Sequence, residues 1–222
     1  IYNLFLFTYA KDPAYVYYSI YLFGIAIFSA YNTGDLSDLM NHIYQASHPQ
    51  YISITKIISY ITLIAYSAFL RSFLDLSQLL PRWNIIFKYL AFAAIPFLFL
   101  DVFLMISFQF NYDTADIITI SYTLIFLLAT LIFAFPLFNT RDRKGYFIIM
   151  GMALMGFGIF MTILDRYRTV DFSTFYFKIG IVLEIIIFSL GLAFRRREIE
   201  DAKRITEFEL EKSQILQEQE HK

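Results

Sequence analysis

The sequence predicts an all-α membrane protein: a seven-transmembrane helix bundle, its first helix truncated, continued by a C-terminal cytoplasmic helix. Three observations carry that expectation. Of the 222 residues, 58% are hydrophobic and only 17% charged, whereas a soluble domain is about 45–50% apolar with about 25% charged. The apolar residues gather into runs close to the ~20 that cross a bilayer core as a helix. The basic residues collect in alternate connections, as the positive-inside rule requires.

In chain order, Ile1 to Tyr9 is apolar but too short to span, and reads as the inner half of a first helix. The chain opens inside that run, as a fragment would, and residues 1–10 lack the basic start and small-residue cleavage site of a signal peptide. Lys11-Asp12-Pro13 is a turn, and Ala14 to Tyr31 a second helix. Residues 32–50 read as a loop holding Asp35, Asp38, His42 and His48 without Lys or Arg. Tyr51 to Leu70 is a third helix, closed by Arg71, and Leu76 to Trp83 a connector. Its Trp83 is a residue favoured at the headgroup level. Ile85 to Phe108 is a fourth helix, with a kink expected at Pro96. Asn111 to Asp116 reads as an acidic turn and Ile117 to Phe138 as a fifth helix. Tyr146 to Leu164 is a sixth, Asp165 to Ser173 a loop, and a seventh runs on from Tyr176.

With the C-terminus inside, Lys11, Arg71, Arg82, Lys88, Arg141, Arg143, Lys144 and Arg195–Arg197 all fall on the cytoplasmic side. The outer connections keep Arg166 and Arg168 among Asp35, Asp38, Asp113, Asp116, Asp165 and Asp171. Arg141, Arg143, Lys144, Arg195, Arg196 and Arg197 are thus the topology determinants, and the N-terminus is expected outside.

After Gly191 the seventh helix meets no Gly or Pro, and the tail to Gln219 is rich in Glu, Lys, Gln, Ile and Leu. Such a composition favours one uninterrupted helix from membrane into water. Residues 1–194 therefore read as the transmembrane domain and 195–222 as a cytoplasmic linker helix. Ala202, Ile205, Phe208, Ile215 and Leu216 form an imperfect apolar stripe, interrupted by Glu209 and Lys212. We read it as a dimerising coiled-coil helix joining two copies, with a solvated amphipathic helix as the alternative.

No catalytic constellation is present, and with no cysteine there is no disulfide, thiol chemistry or Cys-based metal site. His42 and His48 are poorly spaced for a shared metal, and His221 lacks the context of a phosphoacceptor. No phosphate-binding loop, nucleophile elbow or zinc-protease motif occurs, so no cofactor is expected. The basic clusters are short and lie at membrane edges, which leaves nucleic-acid binding without support. The informative residues are ionisable ones inside the membrane: Glu184, Asp101, Lys56 and Lys178. Glu184 lies roughly 16 Å from Arg195 at about 1.5 Å per residue, near mid-membrane. It is either a packing carboxyl or a switch. Lys56 and Asp101 come out at similar depth, roughly 22 Å from Arg71 and 20 Å from Lys88, and are expected to pair, the alternative being that Lys56 snorkels to the outer headgroups and Asp101 lines a wet cavity. Lys178 is shallow enough to snorkel. Gly151, Gly156, Gly158 and the Ser189/Ala193 pair are expected to serve close helix packing.

Tyr2-Asn3-Leu4-Phe5-Leu6-Phe7, Lys11-Asp12 and Tyr15-Tyr17-Tyr18 resemble the first turnaround of bacterial seven-transmembrane receptors with diverse intracellular signalling modules. Leu183-Glu184, Phe188-Ser189-Leu190-Gly191-Leu192-Ala193 and Arg195 are similar to the last helix of that family. The resemblance implies a bacterial plasma-membrane receptor with an outside sensory domain upstream, often a carbohydrate-binding β-sandwich. It further implies a cytoplasmic output module downstream, such as a histidine kinase, a cyclic-dinucleotide enzyme or a DNA-binding regulator. The chain itself is then a non-enzymatic transmembrane relay. The competing expectation is a small-solute or proton transporter working through Glu184 and Asp101. Only Pro96 interrupts a span away from its ends and no repeat is visible, which counts against it. A plain membrane anchor is the third.

Overall fold

The structure, a computed structural model, describes residues 12–32, 48–107, 112–166 and 173–220. Among these residues every element is a helix: α1 (Pro13–Asn32), α2 (His48–Phe73), α3 (Leu76–Leu79), α4 (Pro81–Ser107), α5 (Tyr112–Asn139), α6 (Arg143–Arg166) and α7 (Ser173–Glu220). The expected first helix, Lys11, most of the 32–50 loop with His42, and His221 lie outside the described residues.

The long helices occur where the apolar runs predicted them, but most boundaries move outward. Proline explains two of these shifts. Pro49 and Pro81 sit in the first turns of α2 and α4, where a missing N–H costs nothing. His48–Gln50 are therefore helical rather than loop. The expected 76–83 connector becomes the short α3 followed directly by α4. Residues 112–116, read as an acidic turn, are helical and begin α5. Asp165 and Arg166 finish α6, and Ser173 begins α7. Pro96 lies inside α4, which continues past it to Ser107.

Each long helix packs on its predecessor, and α7 returns against α1 to close the ring. Alternating direction brings Asp12, Arg71, Arg82, Arg141, Arg143, Lys144 and Arg195 to one end, here termed the basic end. The interior is aromatic: Tyr15, Tyr18, Phe69, Phe73, Phe87, Phe133 and Phe188 are all less than 2% exposed. Phe188 of α7 lies against the rings of Tyr18, Tyr66 and Phe69. The outside is apolar too, with Phe99 70% and Phe135 77% exposed. A surface like that suits lipid and not water. By length and composition, Pro13–Ala30, Pro81–Leu104, Ile117–Asn139 and Phe175–Ile215 each contain enough apolar helix to cross a membrane. α2 is interspersed with hydroxyls and Lys56 but is wedged between two of these spans.

Glycine sets how closely α6 and α7 approach. A Cβ on Gly158 would come within 2.9 Å of the Tyr176 carbonyl, and one on Gly151 within 2.3 Å of the Phe188 ring. The expected role holds for these two and fails for Gly156, which has nothing within 4 Å. Ser189 and Ala193 are largely exposed on α7, and of the two Ser189 faces α1, its Oγ 3.3 Å from Tyr18 Oη.

Candidate functional site

α7 is held to the bundle by polar contacts at three levels. Tyr15, Tyr18 and Tyr21 repeat every third residue on α1, one helical face, and all three are buried. Tyr15 Oη donates to the Leu192 carbonyl at 3.2 Å and Tyr18 Oη to the Ile185 carbonyl at 2.9 Å. Tyr18 Oη also lies 3.3 Å from Ser189 Oγ. Tyr21 Oη donates to Glu184 Oε2 at 2.7 Å. Glu184 is 1% exposed, and its other oxygen, Oε1, finds no hydrogen-bond partner. Around it lie the Tyr18–Tyr21 and Tyr21–Tyr66 ring pairs, 6.3 and 5.1 Å between centroids.

This placement yields one prediction. Glu184→Gln keeps an acceptor for Tyr21 and leaves the bundle assembled. Glu184→Lys puts a cation among tyrosine hydroxyls with no anion, against an insertion cost of about 2.5–3.5 kcal/mol at a helix centre. Size-exclusion of the detergent-extracted variants checks this, and a monodisperse, fully helical Glu184→Lys would contradict it.

The basic end of the same interface is built on Arg195. The sequence suggested a topology determinant at the headgroups; the structure buries it to 8% exposure. Its Nε donates to Asp12 Oδ2 at 2.7 Å, and its Nη1 to the Ser72 carbonyl at 2.5 Å and to the Phe73 carbonyl. Nη2 reaches Asp75 Oδ1 at 3.3 Å. Those carbonyls end α2, where a helix leaves its last acceptors unsatisfied and a cation suits the dipole. Asp12 serves twice: its Oδ1 accepts the Ala14 N–H at 3.0 Å, capping α1 ahead of Pro13. Asp75, with φ 50°, terminates α2 in the left-handed region, and its Oδ2 accepts from Lys144 Nζ of α6 at 3.1 Å. Two carboxylates thus balance two cations, and Arg195 joins the start of α1, the end of α2 and, through Asp75, the start of α6.

The other intramembrane ions meet at a second centre. Lys56 Nζ lies 3.7 Å from Asp101 Oδ1, with side-chain exposures of 8% and 1%, bringing together the two residues whose depths matched. Asp101 Oδ2 accepts from Tyr60 Oη at 2.9 Å and from Thr119 Oγ1, tying α2, α4 and α5. Lys178 is half-buried on α7. Arg141, Arg143 and Arg197 are exposed, Lys144 belongs to the Arg195 cluster, and Arg196 pairs with Glu200 at 2.7 Å. No group of acidic or histidine side chains suited to a metal occurs among the described residues.

Tyr21 and Asp75 were not singled out from the sequence. The spacing of Tyr15, Tyr18 and Tyr21 was the available signal for the first. Nothing local marked Asp75 as a partner of Arg195.

A closed, aromatic-cored helical bundle with an apolar exterior, inward ion pairs and a long emergent last helix defines an all-α membrane protein. The chain belongs to the family described as 7TM diverse intracellular signalling, whose model matches residues 1–195. These are transmembrane sensory domains of signalling receptors. The match ends on Arg195, the last buried residue among those described. No curated protein and no solved structure matches the chain.

Proposed function

We propose that the chain relays binding outside a bacterial plasma membrane to a cytoplasmic output module carried beyond the tail, by displacing α7. One observation carries the reading: α7 is a single helix from Ser173 to Glu220, about 72 Å long at 1.5 Å per residue. It begins at the end remote from the basic residues, is clasped at Arg195, and continues for a further run in which nearly every residue is exposed. The basic end faces the cytoplasm by the positive-inside rule, with the upstream sensory domain on the other side. The segment through Arg195, one residue beyond the boundary expected from the sequence, acts as the receiving bundle and Arg196 onward as the linker, through which two copies associate. The chain performs no catalysis of its own in this reading. The transporter alternative draws no support from the carboxylates, since Asp101 is engaged by Lys56, Tyr60 and Thr119, and Glu184 by Tyr21.

The relay depends on a stiff connection. Replacing Glu198-Ile199-Glu200-Asp201 by four glycines costs about 1 kcal/mol of helix propensity at each position relative to Ala. In the full-length receptor this should leave the bundle folded and disconnect output from the bundle. Unchanged regulation of output in that variant would remove the relay through α7.

A further inference from the structure

The tail beyond Arg195 carries large apolar side chains in water: Ile205 is 62%, Phe208 69% and Ile215 51% exposed. Helical geometry puts these three on one face, with Lys212 between them. Written as a heptad, Ile205 and Lys212 occupy a, and Phe208 and Ile215 occupy d. Two further observations agree with that phase. The ion pairs within the tail, Arg196–Glu200 at 2.7 Å and Lys203–Glu207 at 3.6 Å, both join f to c, the face turned away from the seam. Arg204 falls at g and Glu209 at e, the positions that meet across a parallel two-stranded coil. The competing phase, with Ala202 and Glu209 at a and Ile205 and Lys212 at d, puts two charges into the seam.

We infer that the tail is covered by the tail of a second copy, in parallel register, with Ile205, Phe208, Lys212 and Ile215 as its seam. The inference rests on the relay reading above and supplies its partner surface. The membrane imposes the geometry, since two copies inserted in the same direction emerge with their α7 helices parallel and level. Arg204 of one copy meets Glu209 of the other, and the reverse pair forms by symmetry. Lys212, a lone cation at an a position, selects register and strand number at a cost in stability. The same phase puts Glu198 at a and Asp201 at d, like charges facing each other. The two helices therefore stay apart where they leave the bundle and meet from Ile205, about 15 Å beyond Arg195. Ile199 and Leu210, also exposed, fall at b and f and lie outside the seam.

The chain has no cysteine, so single cysteines placed from 198 to 216 can be oxidised in membrane vesicles without a background. Disulfide-linked dimer should form several-fold faster at 205, 208, 212 and 215 than at 203, 207 and 210, with low rates at 198 and 201. In the Phe208→Cys background, Lys212→Ile should raise the yield further. Maxima at 202, 209 and 216, or a yield lowered by Lys212→Ile, would overturn the register while leaving a tail-mediated dimer standing. Uniformly slow oxidation at every position would overturn the second copy as occupant, and the dimer with it. Neither result depends on the output of the receptor, so the relay itself is judged separately by the tetraglycine replacement.

Discussion

Arg195→Ala lowers the stability of the bundle by about 3–5 kcal/mol, the cost of leaving a buried charge without its partner. The expected loss is this large because Asp12 is only 7% exposed and keeps its carboxylate when the guanidinium is gone. The Ser72 and Phe73 carbonyls lose a charged donor at the same time. Asp75 contributes less: its side chain is 48% exposed, and exposed pairs give about 0–1 kcal/mol. Arg195→Lys keeps the charge but loses the planar fork that reaches Asp12, two carbonyls and Asp75 together, so an intermediate loss is expected. Asp12→Asn retains the cap on α1 and removes the charge, which separates the two duties of that carboxylate. Denaturant or thermal unfolding of the purified protein in detergent measures all three. An Arg195→Ala variant within about 0.5 kcal/mol of the parent, the range of ordinary surface substitutions, would show that the clasp does not hold α7.

The second large effect falls on Lys56 and Asp101. Lys56→Ala and Asp101→Ala should each cost about 3–5 kcal/mol, since each leaves the other ion buried. The double variant should cost less than the sum, with a coupling of about 0.5–3 kcal/mol. Two details set where in that range it falls. The ions are 3.7 Å apart, longer than a close charged hydrogen bond. Asp101 also keeps Tyr60 and Thr119 as donors when Lys56 is removed. Additive single effects in the double-mutant cycle would mean that Lys56 and Asp101 do not stabilise each other.

What could be read from the sequence was what depends on depth along one helix. Apolar runs located the long helices of the bundle, the Arg/Lys bias gathered the basic residues at one end, and counting from Arg71 and Lys88 set Lys56 level with Asp101. The unbroken α7 followed from the absence of Gly and Pro after Gly191. What could not be read was which helices are neighbours across the closing seam. Asp12 and Arg195 were both visible at the ends of the resemblance, but their 2.7 Å contact exists only because α7 returns to α1. Asp75 joins them through a left-handed turn that no local pattern announced. Gly156 and Gly158 look alike in sequence; only the 100° steps of α6 decide that one meets α7 and the other meets nothing.

The central claim is that α7 transmits its orientation as a rigid helix, and its phase tests this most directly. Inserting one residue between Arg197 and Asp201 of the full-length receptor turns everything downstream by about 100°, while inserting seven returns nearly the same face. Arg195 and the bundle are untouched by either insertion. Output measured in membranes should be strongly altered by the single insertion and largely retained with seven. Equal output from the two would contradict a relay carried by the phase of α7.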